Sequence, residues 1–242
     1  LFEQMALIYN YPYYNEHMKS LGFEEDAVWV DRIISIPQKD GEHSANQQKF
    51  FRVAKIVQER FGFKIRKFKS KRDLRSSGYV LKLFEIINTS YKDLYGYSNM
   101  SRRQMESYAK MYLPLLDHRL ISVVENKDGE PIAVGVCMPN LTEAIQKAKS
   151  KLFPFGWWHI LKALKWKRSK TIDLLLIGAL PEYQDTGCIS LMFADMIPTA
   201  QDLGFEIAEC CPQLESNTKA LSVWRSLDSE VVKRRHTWKK MI

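Results

Sequence analysis

Hydrophobic and polar positions follow two different periods along the chain, and the order of these periods predicts an alternation of strands and helices. Within residues 43–61, apolar residues from Phe50 to Phe61 recur at steps of four, three and four, which predicts an amphipathic helix. Residues 172–180 are almost wholly apolar, which predicts a central strand buried on both faces. The other predicted strands are 27–36, 63–68, 120–124, 132–137, 205–211 and 231–242, and the other predicted helices are 73–91, 101–113, 142–152, 155–167, 186–203 and 217–227.

A turn between two apolar strands indicates which class of sheet the chain forms. Asn126-Lys127-Asp128-Gly129 is typical of the turn of an antiparallel hairpin, and a strand–helix–strand unit follows it. A hairpin combined with such a unit predicts a mixed sheet rather than a doubly wound parallel sheet. Pro198 falls within the predicted helix 186–203, where it should kink the helix or mark its end.

Composition and charge limit the function classes. The chain has 242 residues, of which 45% are hydrophobic and 26% charged, with a formal net charge of +8. Such a chain can bury a core as one large domain or two small ones, and its longest apolar run is too short to span a membrane. The four cysteines form no C-x-x-C pair, so we expect no metal and a reducing, cytoplasmic setting. Leu1 stands in place of an initiator Met, which suggests that the chain begins inside a longer protein.

The most informative stretch runs from the end of the central strand into a helix. Residues 179–181 read Ala-Leu-Pro and are followed by Gln184 and Gly187, so a buried strand enters a short loop that opens a helix. The first amides of a helix lack intrahelical partners and carry partial positive charge, which suits phosphate binding. The motifs G-x-G-x-x-G and G-x-x-x-x-G-K do not occur, which argues against dinucleotide-binding and P-loop proteins.

This stretch, with Asn217, Ala220 and Trp224 downstream, resembles the coenzyme A loop and the following helix of the GNAT (GCN5-related N-acetyltransferase) superfamily. The resemblance covers residues 63–242. Within the superfamily, the sequence is similar to an uncharacterised bacterial branch. It implies an α/β architecture of the α+β type, with a mixed, mostly antiparallel sheet, flanking helices and a helical insert. It also implies an acyl-CoA-dependent N-acyltransferase that uses acetyl-CoA or another acyl-CoA as co-substrate and a small-molecule amine as acceptor.

The resemblance further implies which residues bind acyl-CoA. The backbone of residues 177–179 would hold the pantetheine arm, and the loop 184–189 would hold the pyrophosphate. Ile189 stands where the family has a small residue, and Trp224 stands where it often has a Tyr that acts as general acid. These two departures leave open a catalytically degenerate GNAT-like domain that acts as a binding or scaffold partner. The implied coenzyme A-binding residues are Ile177, Gly178, Ala179, Gln184, Asp185, Thr186, Gly187, Cys188, Ile189, Asn217 and Trp224.

Two acidic residues are candidates for the general base that takes the proton of the attacking amine. Asp173 lies on the strand before the loop, at the spacing where the resemblance places a general-base Glu, and Glu209 lies on the next strand. Strict alternation would put Asp173 on one strand face with residues 175, 177 and 179, where burial would raise its pKa. The alternative for Asp173 is a strand-end carboxylate bonded to solvent or to a Lys. His159 is a third candidate.

One segment precedes the predicted domain 43–242 and another is inserted within it. Residues 1–42 are predicted to be an N-terminal extension, with a loose similarity to the tail of a preceding GNAT-like half. The insert 141–170 is basic and aromatic, with eight basic and no acidic residues from Ala144 to Ile172. Such an insert could bind an acidic acyl carrier protein or a membrane surface, or simply cover the core, and nucleic acid is disfavoured as its partner. A long-chain N-acyltransferase that uses acyl carrier protein donors is therefore an alternative.

Overall fold

A mixed sheet of eight strands organises the chain. In this computed structural model, residues 7–38, 41, 43–166 and 169–241 are described. The strands are β1 Glu24–Ser35, β2 Lys64–Arg66, β3 Ile121–Glu125, β4 Pro131–Pro139, β5 Thr171–Ala179, β6 Ile207–Cys210, β7 Gln213–Leu214 and β8 Glu230–Lys239. They are ordered β2-β3-β4-β5-β6-β1-β7, with β8 also paired to β1. The β5–β6 pair is parallel and the other described pairs are antiparallel, so the mixed, mostly antiparallel sheet is confirmed.

Apart from an unpredicted first helix, the helices lie at the predicted positions, and local backbone geometry divides or shortens some of them. They are α1 Tyr13–Ser20, α2 Ala45–Phe61, α3 Lys71–Ser76, α4 Tyr79–Tyr91, α5 Arg102–Tyr112, α6 Thr142–Lys147, α7 Gly156–Lys165, α8 Cys188–Asp202 and α9 Thr218–Arg225. The predicted helix 73–91 is divided at Gly78, which has φ +75. α6 ends early because Lys149 and Ser150 have positive φ angles. α8 continues past Pro198 to Asp202, so an end at that proline was the wrong alternative.

Helices cover both faces of the sheet and enclose two apolar clusters. On one face, α2 and α8 pack with residues such as Phe50, Leu174 and Phe193. On the other face, α3, α4 and the inner side of α7 pack with residues such as Leu74 and Ile87. Because both faces are covered, β4 is buried along its whole length and β5 lies at the centre, as the apolar run predicted.

A β-bulge in β5 changes which side chains share a face. Val136 of β4 pairs with Leu176, whereas Cys137 pairs with Leu174, so Leu175 is the extra residue. Leu175 packs with the α4 cluster, whereas Ile177 and Ala179 pack with the α8 cluster. The predicted common face for residues 173, 175, 177 and 179 was therefore wrong, because the bulge shifts the alternation by one residue.

The N-terminal segment contributes a strand to the same sheet. β1 pairs with β6 at residues 33–35 and with β8 from Glu24 to Ile33. It thus lies between two strands that come from the other end of the chain, and residues 43–242 alone would leave a gap in the sheet. The assignment of residues 1–42 to the tail of a preceding GNAT-like half stays a prediction.

Candidate functional site

The two parallel strands at the centre of the sheet diverge and leave a cleft. β5 and β6 pair from Thr171 with Ile207 to Leu174 with Cys210, and β5 then continues to Ala179. The cleft between them has a volume of about 1010 Å³. The predicted coenzyme A-binding residues that line it are Ile177, Gly178, Ala179, Gln184, Asp185, Gly187, Ile189, Asn217 and Trp224.

Gly187 joins the loop to α8 in a conformation that favours glycine. A 3-10 turn follows β5, and Gly187 has φ +83 immediately before α8. An added Cβ would lie 2.9 Å from Val57 Cγ2 of α2, so both backbone and packing favour glycine. Thr186 and Cys188 direct their side chains to the Tyr183 carbonyl oxygen, at 2.6 and 3.3 Å respectively. These two residues can therefore contact a phosphate only through their backbone.

The end of α4 covers the strand edge to which the pantetheine arm was predicted to pair. Tyr91 Oη donates to the Ile177 carbonyl oxygen at 2.8 Å and accepts from the Ile177 amide at 3.4 Å. Ser90 Oγ donates to the Ala179 carbonyl oxygen at 2.7 Å. Burial raises the pKa of Tyr91 to about 12, so its hydroxyl stays neutral. A pantetheine arm can pair with Ile177 only if this hydroxyl moves away.

Trp224 of α9 belongs to the core as much as to the cleft. Its ring lies edge-to-face against Phe193, with centroids 5.3 Å apart. Its Nε1 is buried and has no hydrogen-bond partner among the described residues. An indole N–H donates a hydrogen bond but is no practical acid, so this side chain cannot replace a Tyr that protonates a leaving thiolate. Asn217 lies directly before α9 and lines the cleft.

The two candidate bases are neighbours. Asp173 and Glu209 are paired across β5 and β6, and they are only 1% and 4% exposed. Asn140 Nδ2 donates to Asp173 Oδ1 at 2.9 Å, and Lys233 Nζ lies 3.7 Å from Glu209 Oε1. Burial raises the pKa of Asp173 to about 7; the Asn140 hydrogen bond opposes this shift, and the Glu209 charge adds to it. Asp173 is thus a buried carboxyl bonded to an amide, and the alternative of a solvent-bonded strand end was wrong.

A second cavity adjoins the cleft. It has a volume of about 300 Å³ and lies between α4, α5 and the sheet. Asp173, Leu175 and Cys211 line it, and the last two also line the cleft. Asp173 therefore faces the cavity and lies close to the point where the two spaces meet.

Three of these features could not be found in the sequence. Tyr91 and Ser90 end a helix that the pattern shows only as amphipathic, and Asn140 follows a hairpin strand with no motif around it. The bulge at Leu175 depends on the pairing with β4, which periodicity within one strand does not determine. His159 lies on α7, which belongs to the insert and packs over the sheet, and it lines neither space.

The described part of the chain offers neither a metal cluster nor a membrane-spanning helix. Within it, no group of three or more His, Cys, Asp and Glu side chains could hold a metal ion. No helix among the described residues is both long and apolar enough to cross a bilayer.

Two curated proteins are similar to this chain, whereas no family model matches it. The chain is 32% identical over 142 residues to the bacterial ceramide synthase of Caulobacter vibrioides, covering 57% of this chain and 37% of that protein. It is 27% identical over 164 residues to protein YghO of Escherichia coli, covering 66% of this chain and 42% of that protein. The chain thus spans less than half the length of these relatives.

Solved structures define the class of fold. A GCN5-related N-acetyltransferase from Sphaerobacter thermophilus matches 94% of this chain and 55% of its own, with a TM-score of 0.59 and 11% identity. A tandem GNAT protein from the clavulanic acid biosynthesis pathway matches 97% of this chain and 60% of its own, with a TM-score of 0.51 and 10% identity. The chain has the GNAT fold, and the resemblance drawn from the coenzyme A loop is confirmed at that level.

Proposed function

We propose that this domain transfers an acyl group from an acyl-CoA thioester to an amine by direct attack. The observation that carries the proposal is the cleft between the diverging β5 and β6, with the Gly187 loop and the start of α8 at one end. A cleft of this kind offers backbone groups for an extended arm and helix amides for phosphates. The name of the Caulobacter vibrioides relative, bacterial ceramide synthase, is consistent with transfer to nitrogen.

The reaction uses a carboxyl group as general base and needs no general acid. The amine nitrogen attacks the thioester carbonyl carbon, the C–N bond forms, and the C–S bond breaks to release coenzyme A thiolate. Asp173 is the group proposed to take the proton that the nitrogen loses, because its pKa of about 7 suits a base at neutral pH. A thiol has an ordinary pKa of about 8.5, so the thiolate can leave without an acid and pick up its proton from water. Trp224 is compatible with this scheme, since no acid is needed at its position.

A charge placed in the first turn of α8 tests the binding site. Ser190 lies in that turn and lines the cleft, and an Asp there favours the helix dipole, so the fold should be kept. We expect Ser190→Asp to weaken coenzyme A binding by about tenfold through repulsion of the phosphates, whereas the neutral Ser190→Asn should not. Calorimetric titration with coenzyme A measures both. Equal affinities of the two variants would contradict the proposed site.

Activity separates the proposal from its two alternatives. Formation of an amide from acyl-CoA and an amine, followed by mass spectrometry, supports the transferase. Product formed only when acyl carrier protein supplies the thioester supports the carrier-dependent alternative, which the basic insert suggested. Coenzyme A binding without turnover from either donor supports a degenerate binding domain, which Ile189, Trp224 and the Tyr91 cover over β5 favour.

A further inference from the structure

The cavity beside the cleft is almost entirely apolar. It is lined by aliphatic and aromatic side chains from α4, α5 and the sheet, among them Leu83, Phe84, Ala109 and Val136. Asp173 is the charged residue in this lining, and it lies near the side where the cavity meets the cleft. A site of this composition can bind hydrocarbon but offers almost nothing to a polar ligand.

The cavity is too large to be an ordinary packing defect. Protein interiors contain few voids larger than a water molecule, because close packing is favourable. The volume of about 300 Å³ is about twice that of the ~150 Å³ apolar cavity that binds benzene. It can therefore hold about a dozen carbon atoms.

The cavity and the cleft share two lining residues. Leu175 is the bulged residue of β5 and Cys211 follows β6, and both line the two spaces. A chain that starts in the cleft would have to pass between these two side chains to end under α4 and α5. Its head group would then remain beside Asp173.

We propose that the cavity between α4, α5 and the sheet binds an unbranched hydrocarbon chain of about ten to twelve carbons belonging to one of the two substrates, with the reacting group held at the Leu175–Cys211 junction. The proposal rests on the proposed acyl transfer. Two sources share this chemistry, namely the acyl chain of the donor and the alkyl chain of a long-chain amine acceptor.

Two probe series distinguish the sources. Calorimetric titrations with acyl-CoAs from acetyl to palmitoyl, and separately with alkylamines from butylamine to hexadecylamine, give the affinity as a function of chain length. Burial of each methylene should strengthen binding by up to about fourfold, until the chain fills the cavity near ten to twelve carbons. A plateau in the acyl-CoA series alone identifies the donor chain, and a plateau in the alkylamine series alone identifies the acceptor chain.

Variants that change the cavity in opposite directions make the test specific. Ala109→Phe on α5 fills the cavity and should move the plateau to shorter chains, whereas Phe84→Ala on α4 enlarges it and should move the plateau to longer ones. Lys110→Phe adds the same ring to α5 at an exposed position outside the cavity and should change nothing. A merely destabilised fold cannot shift the plateau both ways.

The failure of this proposal is distinguishable from failure of the proposed function. Affinity that does not depend on chain length in either series, with coenzyme A still bound and sensitive to Ser190→Asp, would overturn the hydrocarbon site alone. Loss of the Ser190→Asp effect would overturn the coenzyme A site, while the alkylamine series would still report on the cavity.

An independent observation concerns the outer surface of the insert, here called the aromatic patch and formed by residues 152–166. Phe153, Phe155 and Trp166 are 80%, 73% and 64% exposed, and Trp157 and Trp158 are also exposed. The rings of Trp157 and Trp166 both contact Trp158, so the three tryptophans form one cluster. Exposed apolar clusters of this kind indicate an interaction surface.

The inner side of α7 shows that this exposure is not a failure to pack. Ile160, Ala163 and Leu164 pack against the sheet, so α7 is held in place while its aromatic side faces outward. Lys151, Lys162 and Lys165 are exposed around the patch, and residues 144–166 contain no acidic residue. Large aromatic rings beside lysines match the interface of a lipid bilayer with anionic head groups.

We infer that the aromatic patch lies on an anionic lipid surface. Exposed Phe and Trp rings enter the head-group region, and the lysines contact the phosphates. An acidic carrier protein would use the lysines but has no need of six large apolar side chains in solvent: Leu152, Phe153, Phe155, Trp157, Trp158 and Trp166.

Sedimentation with vesicles tests this inference. The chain should bind phosphatidylcholine vesicles that contain 30% phosphatidylglycerol, and Phe153→Ser with Phe155→Ser should weaken binding at least tenfold. The control pair Tyr9→Ser with Tyr11→Ser removes exposed aromatic rings elsewhere and should have no effect. Equal binding by both pairs, or binding of acyl carrier protein at the patch with none to vesicles, would overturn the inference.

Discussion

Asp173 and Glu209 occupy paired positions on the two parallel strands, and both residues are buried. Burial is the largest cause of the raised pKa of Asp173, and the charge of Glu209 adds to it. Burial between the strands and the helices thus gives Asp173 a pKa near neutral pH, although an aspartate is normally ionised well below it.

Folding stability should fall as pH rises through the range in which Asp173 ionises. Its pKa is raised from 3.8 to about 7, so between these values the folded state keeps a proton that the unfolded state has lost. Linkage then removes up to about 4 kcal/mol of stability between pH 4 and pH 8. Asp173→Asn cannot ionise and should be more stable than the wild type at pH 8 but not at pH 4. Urea unfolding at both pH values measures this, and a wild-type stability that rises over the range would contradict it.

The same carboxyl predicts how the rate depends on pH. If Asp173 takes the amine proton, kcat/KM for acyl transfer should rise as pH passes about 7, because only the carboxylate can accept. Asp173→Asn should lower kcat by roughly 10²–10⁴-fold while leaving coenzyme A affinity nearly unchanged. Steady-state rates between pH 5.5 and pH 8.5 give the comparison, with Glu209→Gln measured alongside. A full loss in Glu209→Gln and none in Asp173→Asn would assign the base to Glu209.

Removing one hydroxyl should open the strand edge in the cleft. Tyr91→Phe loses the bonds to Ile177 and should cost about 1 kcal/mol of stability. Because the pantetheine arm no longer displaces that hydroxyl, the Kd for coenzyme A should fall several-fold. Tyr97→Phe is the control, since Tyr97 lines the cleft but its hydroxyl donates to Asn88 Oδ1 at 2.7 Å. A weaker affinity in Tyr91→Phe would mean that the hydroxyl itself contacts the ligand.

Alanine substitutions at two glycines with similar backbone angles distinguish the cost of backbone strain from the cost of a steric contact. Gly187→Ala and Gly78→Ala should each cost about 1–2 kcal/mol, because both positions have positive φ. Gly187→Ala should cost more, since its Cβ meets Val57 Cγ2 at 2.9 Å, whereas nothing lies within 4 Å at Gly78. Adding Val57→Ala should recover part of that excess, beyond the sum of the single effects. Thermal unfolding of the three single variants and of the Gly187→Ala, Val57→Ala double variant measures these costs. If the two single effects simply add in the double variant, the contact with Val57 would be ruled out.

The pairing of β1 with β8 should depend on one buried ion pair. Arg235 Nη2 donates to Asp31 Oδ2 at 2.7 Å, and Asp31 is only 1% exposed. Arg235→Met leaves a buried carboxylate and should cost about 3–5 kcal/mol. Arg234→Met, whose guanidinium pairs with the exposed Glu215, should cost less than about 1 kcal/mol. Similar losses of stability in the two variants would show that the buried Asp31 pair contributes no more than the exposed Glu215 pair.

Local chemistry made most elements predictable. Ser44 and Ser101 form capping boxes with Gln47 and Gln104, which fix the starts of α2 and α5 close to the predicted positions. The hairpin turn and the apolar run of β5 likewise act through neighbours in sequence. Each of these signals depends on only a few neighbouring residues, so the sequence pattern alone is enough to predict the element.

The site required relationships between distant segments. The bulge at Leu175 exists only in the pairing with β4, and it decides that Asp173 faces the cavity while Ile177 faces α8. Tyr91 reaches Ile177 across the fold, and the cavity is a space that no single segment encodes. The loop at Gly187 was predictable because one strand, one turn and one helix carry it.

The position of β1 also sets the timing of folding. This strand is synthesised before its neighbour β8, which follows about two hundred residues later. At a synthesis rate of about 5–20 residues per second, β1 waits roughly 10–40 s on the ribosome with both edges open. Contacts of such long range slow folding, and an unpaired strand invites association with other chains. A nascent chain of this protein therefore exposes the edges of β1 until β6 and β8 have been synthesised.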